Sequence, residues 1–209
     1  MIPVQGPIEV RPGEKIAIMG GNGVGKTSLL RAIAGLSRFV GGDSYRQSGL
    51  RVAYVPGGVV PPRISHRRLA RGFRPRSVEI ASALEELGYE HAPETTRIGD
   101  LSYGNLRKLL LAEALTSQCS IVCLDEAAQG LDAIGLVGLD ALVRTSLGRG
   151  CAVVVAGPSV KDTGVADRTL HLGVGGASSR GMVSLTFVGP GDSASELRKS
   201  AGSLGFRER

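Results

Sequence analysis

Gly20-Gly21-Asn22-Gly23-Val24-Gly25-Lys26-Thr27 is the stretch from which the rest of the chain can be read. It follows the apolar run Lys15–Met19 (KIAIM), which has the composition of a buried strand. It precedes residues 28–34 (SLLRAIA), whose spacing is helical and which Gly35 is placed to end. A strand, a glycine-rich turn and a helix in that order make a phosphate-binding loop. Gly20, Gly23 and Gly25 carry no Cβ, so successive N–H groups can turn inward and cradle phosphate oxygens at the positive end of the helix. Lys26 then reaches the β- and γ-phosphates, and the Thr27 hydroxyl ligates Mg²⁺. The pattern implies a bound nucleoside triphosphate. The alternative is a chance match in a chain with 31 glycines, and the correct flanking elements weigh against it.

Residues 120–126 (SIVCLDE) form an apolar strand that delivers two adjacent carboxylates at its C-terminal end. Ligands of nucleotide-binding α/β folds sit at that edge. Asp125 is placed to hold Mg²⁺, and Glu126 to orient or deprotonate an attacking water. Between the two motifs lies Leu101-Ser102-Tyr103-Gly104-Asn105, followed by LRKLLLAEAL, with leucines at 106, 109, 110 and 115 suited to one helix face. Alone, this is a capped helix with Ser102 as its N-cap.

The order of the pieces says more: phosphate loop, capped helix, Asp-Glu strand, then Gly130-Leu131-Asp132. That order resembles the ATP-binding cassette (ABC) ATPase family over residues 7–172, with GGNGVGKTS similar to its Walker A loop, LSYGN to its LSGGQ signature and IVCLDEAAQGLD to its Walker B strand and D-loop. The resemblance implies an α/β P-loop NTPase fold, with a mostly parallel sheet flanked by helices, a helical subdomain inserted at about residues 60–116 and a reduced N-terminal β region. It implies that ATP and Mg²⁺ are bound by Gly20, Gly21, Asn22, Gly23, Val24, Gly25, Lys26, Thr27 and Ser28, with Thr27 and Asp125 on the metal and Lys26 and Glu126 catalytic. Ser102 and Gly104 would contact the γ-phosphate held by an opposite subunit, and Asp132 would lie at the same interface. A helix starting near Gly104 suits this, since it offers free N–H groups and a positive dipole end to an anion. Two cassettes, alike or different, would close head to tail around two nucleotides.

Several positions depart from the family pattern. After residues 51–55 (RVAYV) the family places Pro-Gln, where this chain has Pro56-Gly57; after residues 152–156 (AVVVA) it places a histidine, where this chain has Pro158. Neither residue offers a side-chain donor. Residues 1–10 contain no Phe, Tyr or Trp to stack on adenine. Tyr103 and Asn105 replace signature residues, and Ala127-Ala128 replaces Pro-Thr. The expectation is a cassette that binds Mg-ATP and hydrolyses it slowly, or only with a partner.

Composition frames these readings. At 209 residues, with 42% hydrophobic and 21% charged residues, the chain reads as one globular domain over 1–209. No apolar run approaches the ~20 residues that span a bilayer, and residues 1–10 lack a signal pattern. The expected location is therefore the cytoplasm, at the inner face of the membrane, with the membrane-spanning subunit on a separate chain. Cys119, Cys123 and Cys151 lie in or beside apolar segments and read as reduced core thiols; His66, His91 and His171 are scattered. Residues 63–76 hold six arginines. A nucleic-acid backbone would suit that stretch, but 20 arginines against 5 lysines point to a general skew, and Phe73 is the one stacking residue there. A solvated face, or a surface docking a membrane partner or anionic lipid, is the preferred reading. Residues 45–55, 169–172 and 182–188 read as strands, 77–87, 136–147 and 193–201 as helices, and 173–180 as a linker within a C-terminal extension. The favoured function is the ATP-hydrolysing subunit of an ABC transporter. The alternatives are a soluble cassette ATPase acting on nucleic acid or the ribosome, and a regulatory cassette that binds ATP with little hydrolysis.

Overall fold

The computed structural model describes residues 8–37, 50–58, 77–90, 98–159, 164–172 and 185–187. Its centre is a five-stranded parallel sheet: β2 (Lys15–Met19), β3 (Val52–Val55), β4 (Ile121–Asp125), β5 (Ala152–Gly157) and β6 (Arg168–His171), in the order β3-β4-β5-β2-β6. Every pairing in it is parallel. β4 and β5 are buried on both faces, as their unbroken apolar runs require of central parallel strands. β1 (Ile8–Val10) pairs in parallel with β7 (Leu185–Phe187), so the short N-terminal β region joins the segment expected as a strand at 182–188.

Two apolar layers cover the sheet. On one face, α1 (Lys26–Ile33) packs Leu29, Leu30 and Ile33 on Ile16, Ile18, Cys123 and Val154, with Ile8 and Val10 at the margin. On the other, α2 (Ser77–Glu86), α3 (Tyr103–Thr116) and α4 (Ala133–Gly148) place Ile80, Ala83, Leu111, Leu115 and Leu142 against Val55, Val122, Leu124, Val153 and Val155. The helices of the 60–116 region thus share one core with the sheet. α3 is buried on more than the single face its leucines predict, because Leu106 and Leu109 form a second small cluster with Leu84 and Leu101. α2 and α4 meet so closely that a Cβ at Gly138 would collide with the Glu86 carbonyl. Among the described residues, no helix is long and apolar enough to cross a membrane.

Several boundaries shift for physical reasons. α1 begins at Lys26, two residues before the helical run, because Gly25 at φ 101 acts as its N-cap and draws lysine and threonine into the first turn. β3 begins at Val52, where its partner β4 begins at Ile121, so Leu50 and Arg51 precede it; residues 45–49 lie outside the described residues. α4 begins at Ala133 instead of residue 136, because the Asp132 carboxylate accepts the Gly135 N–H at 2.7 Å and caps the helix. The arginine-rich stretch 63–76, the linker 173–180 and the helix expected at 193–201 also lie outside the described residues. Cys123 and Cys151 are buried and Cys119 is half-buried, none of them in a disulfide among the described residues; burial raises the Cys151 pKa to about 11.

Candidate functional site

The C-terminal edge of the sheet gathers the phosphate loop, the Asp-Glu pair and the start of α3. Gly23 and Gly25 adopt φ values of 79 and 101, which residues with a Cβ rarely take, and this lets the loop wrap back over the start of α1. The Lys26 side chain is buried and curls into the loop, donating to the carbonyls of Gly20 and Gly21 at 2.8 Å each. An ammonium has three donors, so one is left without a partner among the described residues. Gly21 and Asn22 line the exposed rim, and Val24 packs at the loop's start, its Cγ2 within 2.9 Å of where a Gly20 Cβ would lie. Ser28 follows in the first turn of α1.

From the opposite strand, Asp125 reaches this helix start. Thr27 Oγ1 donates to Asp125 Oδ2 at 2.7 Å, bringing together two residues 98 apart in sequence. The Tyr54 hydroxyl lies 3.4 Å from the same oxygen. Burial, then the neighbouring Asp125 charge, raises the Tyr54 pKa to about 12, so the phenol stays neutral and donates. Asp125 is 3% exposed, and its Oδ1 has no hydrogen-bond partner among the described residues. A buried unpaired carboxylate oxygen is costly unless something occupies it. An oxygen-only donor set of hydroxyl and carboxylate beside a phosphate loop fits a hard divalent cation such as Mg²⁺.

Glu126 follows at φ 49, the one non-glycine residue among those described with positive φ. That conformation costs on the order of 1 kcal/mol. It is held from both sides: the Glu126 N–H donates to the Ala156 carbonyl at 2.8 Å, and its own carbonyl accepts from Arg107 at 2.7 Å and from the Gln129 N–H at 3.0 Å. Gly57 lies alongside: a Cβ there would meet the Asp125 carboxylate at 3.6 Å, an ordinary contact.

The signature segment forms the end of this edge. Ser102 caps α3, its Oγ accepting the Asn105 N–H at 3.2 Å. This leaves the N–H groups of Tyr103 and Gly104 at the helix start. Gly104 abuts the loop after β4, where its Cβ would stand 2.9 Å from the Gly130 carbonyl. Asp132, besides capping α4, accepts from buried Lys108 at 2.9 Å, and Lys108 also donates to the Gly88 carbonyl at 2.7 Å. The Lys108 hydrogen bond, then that from the Gly135 N–H, lowers the Asp132 pKa.

The expected residues therefore fall into two groups along one edge. Gly20, Gly23, Gly25, Lys26, Thr27, Asp125 and Glu126 converge on one spot. Ser102, Gly104 and Asp132 cluster around the start of α3. Sequence reasoning missed four residues that organise the edge: Tyr54, Tyr103, Arg107 and Lys108. Tyr103 was read only as a substitution for glycine, yet its hydroxyl donates to the Gly57 carbonyl at 2.8 Å. The available signal was a pair of cations, Arg107 and Lys108, inside an otherwise apolar helix, since such residues are buried only when partnered.

The sequence model of the ABC transporter family matches residues 7–129, more than half of the chain. The zinc import ATP-binding protein ZnuC of Pseudomonas fluorescens is 35% identical over 156 residues, covering 71% of this chain and 58% of its own length. ZnuC of Vibrio cholerae is 36% identical over 148 residues, covering 68% and 56% respectively. The chain thus spans less than two thirds of the length of these relatives. In structure it is similar to a dimeric bacterial ABC transporter cassette, with a TM-score of 0.66 at 19% identity, over 84% of this chain and 85% of that one. With a phosphate loop, an Asp-Glu strand and a capped signature helix converging on one parallel-sheet edge, and the family model running through them, this chain belongs to the ABC transporter family.

Proposed function

We propose that the chain is a single nucleotide-binding domain, the ATP-binding and ATP-hydrolysing subunit of an ABC importer. It would act at the cytoplasmic face of a membrane on a membrane-spanning partner encoded separately. The observation that carries this reading is the 2.7 Å contact between Thr27 and Asp125, with Asp125 Oδ1 buried and unpartnered beside the Lys26 loop. Residues 20–28 wrap the triphosphate, and Lys26 exchanges its loop carbonyls for phosphate oxygens. Thr27 and Asp125 hold Mg²⁺, which neutralises phosphate charge when bound. Glu126 accepts the proton of the water that attacks the γ-phosphorus, and the bond to the β-phosphate oxygen breaks in line.

Ser102, Gly104 and Asp132 serve a second cassette, same or different, that docks head to tail. The free N–H groups and positive dipole at the start of α3 suit the γ-phosphate held by that partner. Ordered closing and opening of the pair would drive the membrane subunit. The named activity of the curated relatives favours a divalent transition-metal cargo, zinc first. Because Gly57 and Pro158 offer no side-chain donors, turnover by the isolated chain is slow and rises when the membrane partner binds. Calorimetry with Mg-ATP tests the first claim, and absence of binding at millimolar nucleotide defeats it. ATPase rates with and without the copurified membrane subunit test the second, with equal rates counting against it.

A further inference from the structure

Arg107 is the largest fully buried side chain, 0% exposed, and no carboxylate pairs with its guanidinium, in both cases among the described residues. Nη1 donates to the carbonyls of Pro56 and, at 3.4 Å, Gly57; Nη2 donates to those of Asp125 and, at 2.7 Å, Glu126. Nε is buried without a hydrogen-bond partner among the described residues. One turn earlier on the same helix face, Tyr103 donates to Gly57, lies 3.3 Å from Gln129 Oε1 and covers Gly130, where a Cβ would meet its ring at 2.6 Å. Gly57 has no side chain with which to reach α3. The connection runs the other way, from two α3 side chains to the backbone ends of β3 and β4.

We propose that Arg107 is a positioning residue that holds Glu126 in its left-handed turn, and that Arg107 and Tyr103 together tie the signature helix to the Gly57 loop so that any shift of α3 is felt at Glu126. The proposal rests on the reading of Glu126 as the base that serves ATP hydrolysis. The geometry favours a fork over a point charge, because one planar guanidinium spans two strand ends while an ammonium reaches one. A purely structural role would make Arg107 matter for stability alone; a positioning role makes it matter for turnover at unchanged nucleotide affinity.

The full chain and its Arg107→Lys, Arg107→Gln and Tyr103→Phe variants test this with two readouts. In nucleotide-free protein, amide hydrogen exchange in Arg107→Lys should rise at least ~10-fold over residues 124–130 and 54–58, with residues 26–33 unchanged. At saturating Mg-ATP its kcat should fall ~30-fold while affinity for a non-hydrolysable ATP analogue changes less than ~3-fold. Tyr103→Phe should lose ~3-fold to ~5-fold in kcat, with faster exchange confined to residues 57–58 and 129–130. Unchanged protection with unchanged kcat in Arg107→Lys, a rise shared equally by residues 26–33, or a kcat loss matched by lost affinity would each overturn the proposal. If the arginine variants do not fold, Tyr103→Phe decides by the same criteria. A parent chain that takes up no nucleotide defeats the hydrolysis reading instead, and exchange still decides the tie between α3 and Glu126.

Discussion

The phosphate loop and the signature helix lie at one edge of one sheet but are built on opposite principles. In the loop, the chemistry-bearing atoms are poised for exchange: Lys26 rests on the carbonyls of Gly20 and Gly21, Thr27 rests on Asp125, and Asp125 keeps one oxygen unpaired. At the signature helix the side chains are committed to their own chain. Tyr103 and Arg107 bind backbone carbonyls just beyond β3 and at the end of β4, and Lys108 binds Gly88 and Asp132. A group that must meet a ligand is limited by the ligand's chemistry and matches the family pattern residue by residue. A group that only holds backbone can be replaced by any side chain that reaches the same carbonyls.

Lys26→Ala should break the comparison most sharply, because the loop loses its one cation facing the phosphates. Affinity for Mg-ATP should fall ~100-fold or more by calorimetry while the thermal midpoint stays close to the parent's. Glu126→Gln comes next: turnover should drop ~100-fold with nucleotide affinity kept within ~3-fold. Equal rates in the variant and the parent would mean that Glu126 is idle.

Gly130→Ala probes the committed side. Gly130 sits at φ 77 under the Tyr103 ring, so a methyl meets both an unfavourable backbone angle and the ring. The expected loss is about 1–3 kcal/mol of stability, read as a thermal midpoint several degrees lower. A neutral result would mean that Tyr103 is free to move away.

Asp132→Asn should show a smaller effect that depends on pH. The Asp132 pKa is depressed below the ordinary carboxylate value in the folded chain, so its contribution is present above that ordinary value and fades as pH falls through the lower folded one. The variant should melt a few degrees below the parent at neutral pH, and the gap should close as pH falls below the ordinary carboxylate range. A gap that persists in acid would assign the effect to helix capping geometry instead of charge. The smallest change is expected from Gly57→Gln, whose Cβ would meet Asp125 at an ordinary 3.6 Å contact. It should leave the thermal midpoint unchanged and raise basal turnover a few-fold, placing a side-chain donor where the chain now has none.

Much of this was legible without coordinates. Alternation of apolar runs with helical spacing announced a parallel sheet, because strands buried on both faces must be apolar throughout. The glycines and the Lys-Thr pair announced an anion loop, because few other residues permit that turn. Asp125 and Glu126 were readable because a short acidic pair ends an apolar strand. Asp132 was read as an interface residue; its capping of α4 and its bond to Lys108 came from the structure. The partners of Arg107 and Tyr103 were not legible, since the carbonyls they bind belong to segments about 20 to 50 residues away in sequence.

Periodicity, glycine placement and charge type are local properties, so the amino-acid order alone determined the element sequence, the anion-binding loop and the carboxylate pair. Which backbone groups Arg107 and Tyr103 would satisfy depended on where β3, β4 and α3 came to rest against one another. Carbonyls carry no residue identity, so only the folded arrangement decided that the signature helix grips the turn bearing Glu126.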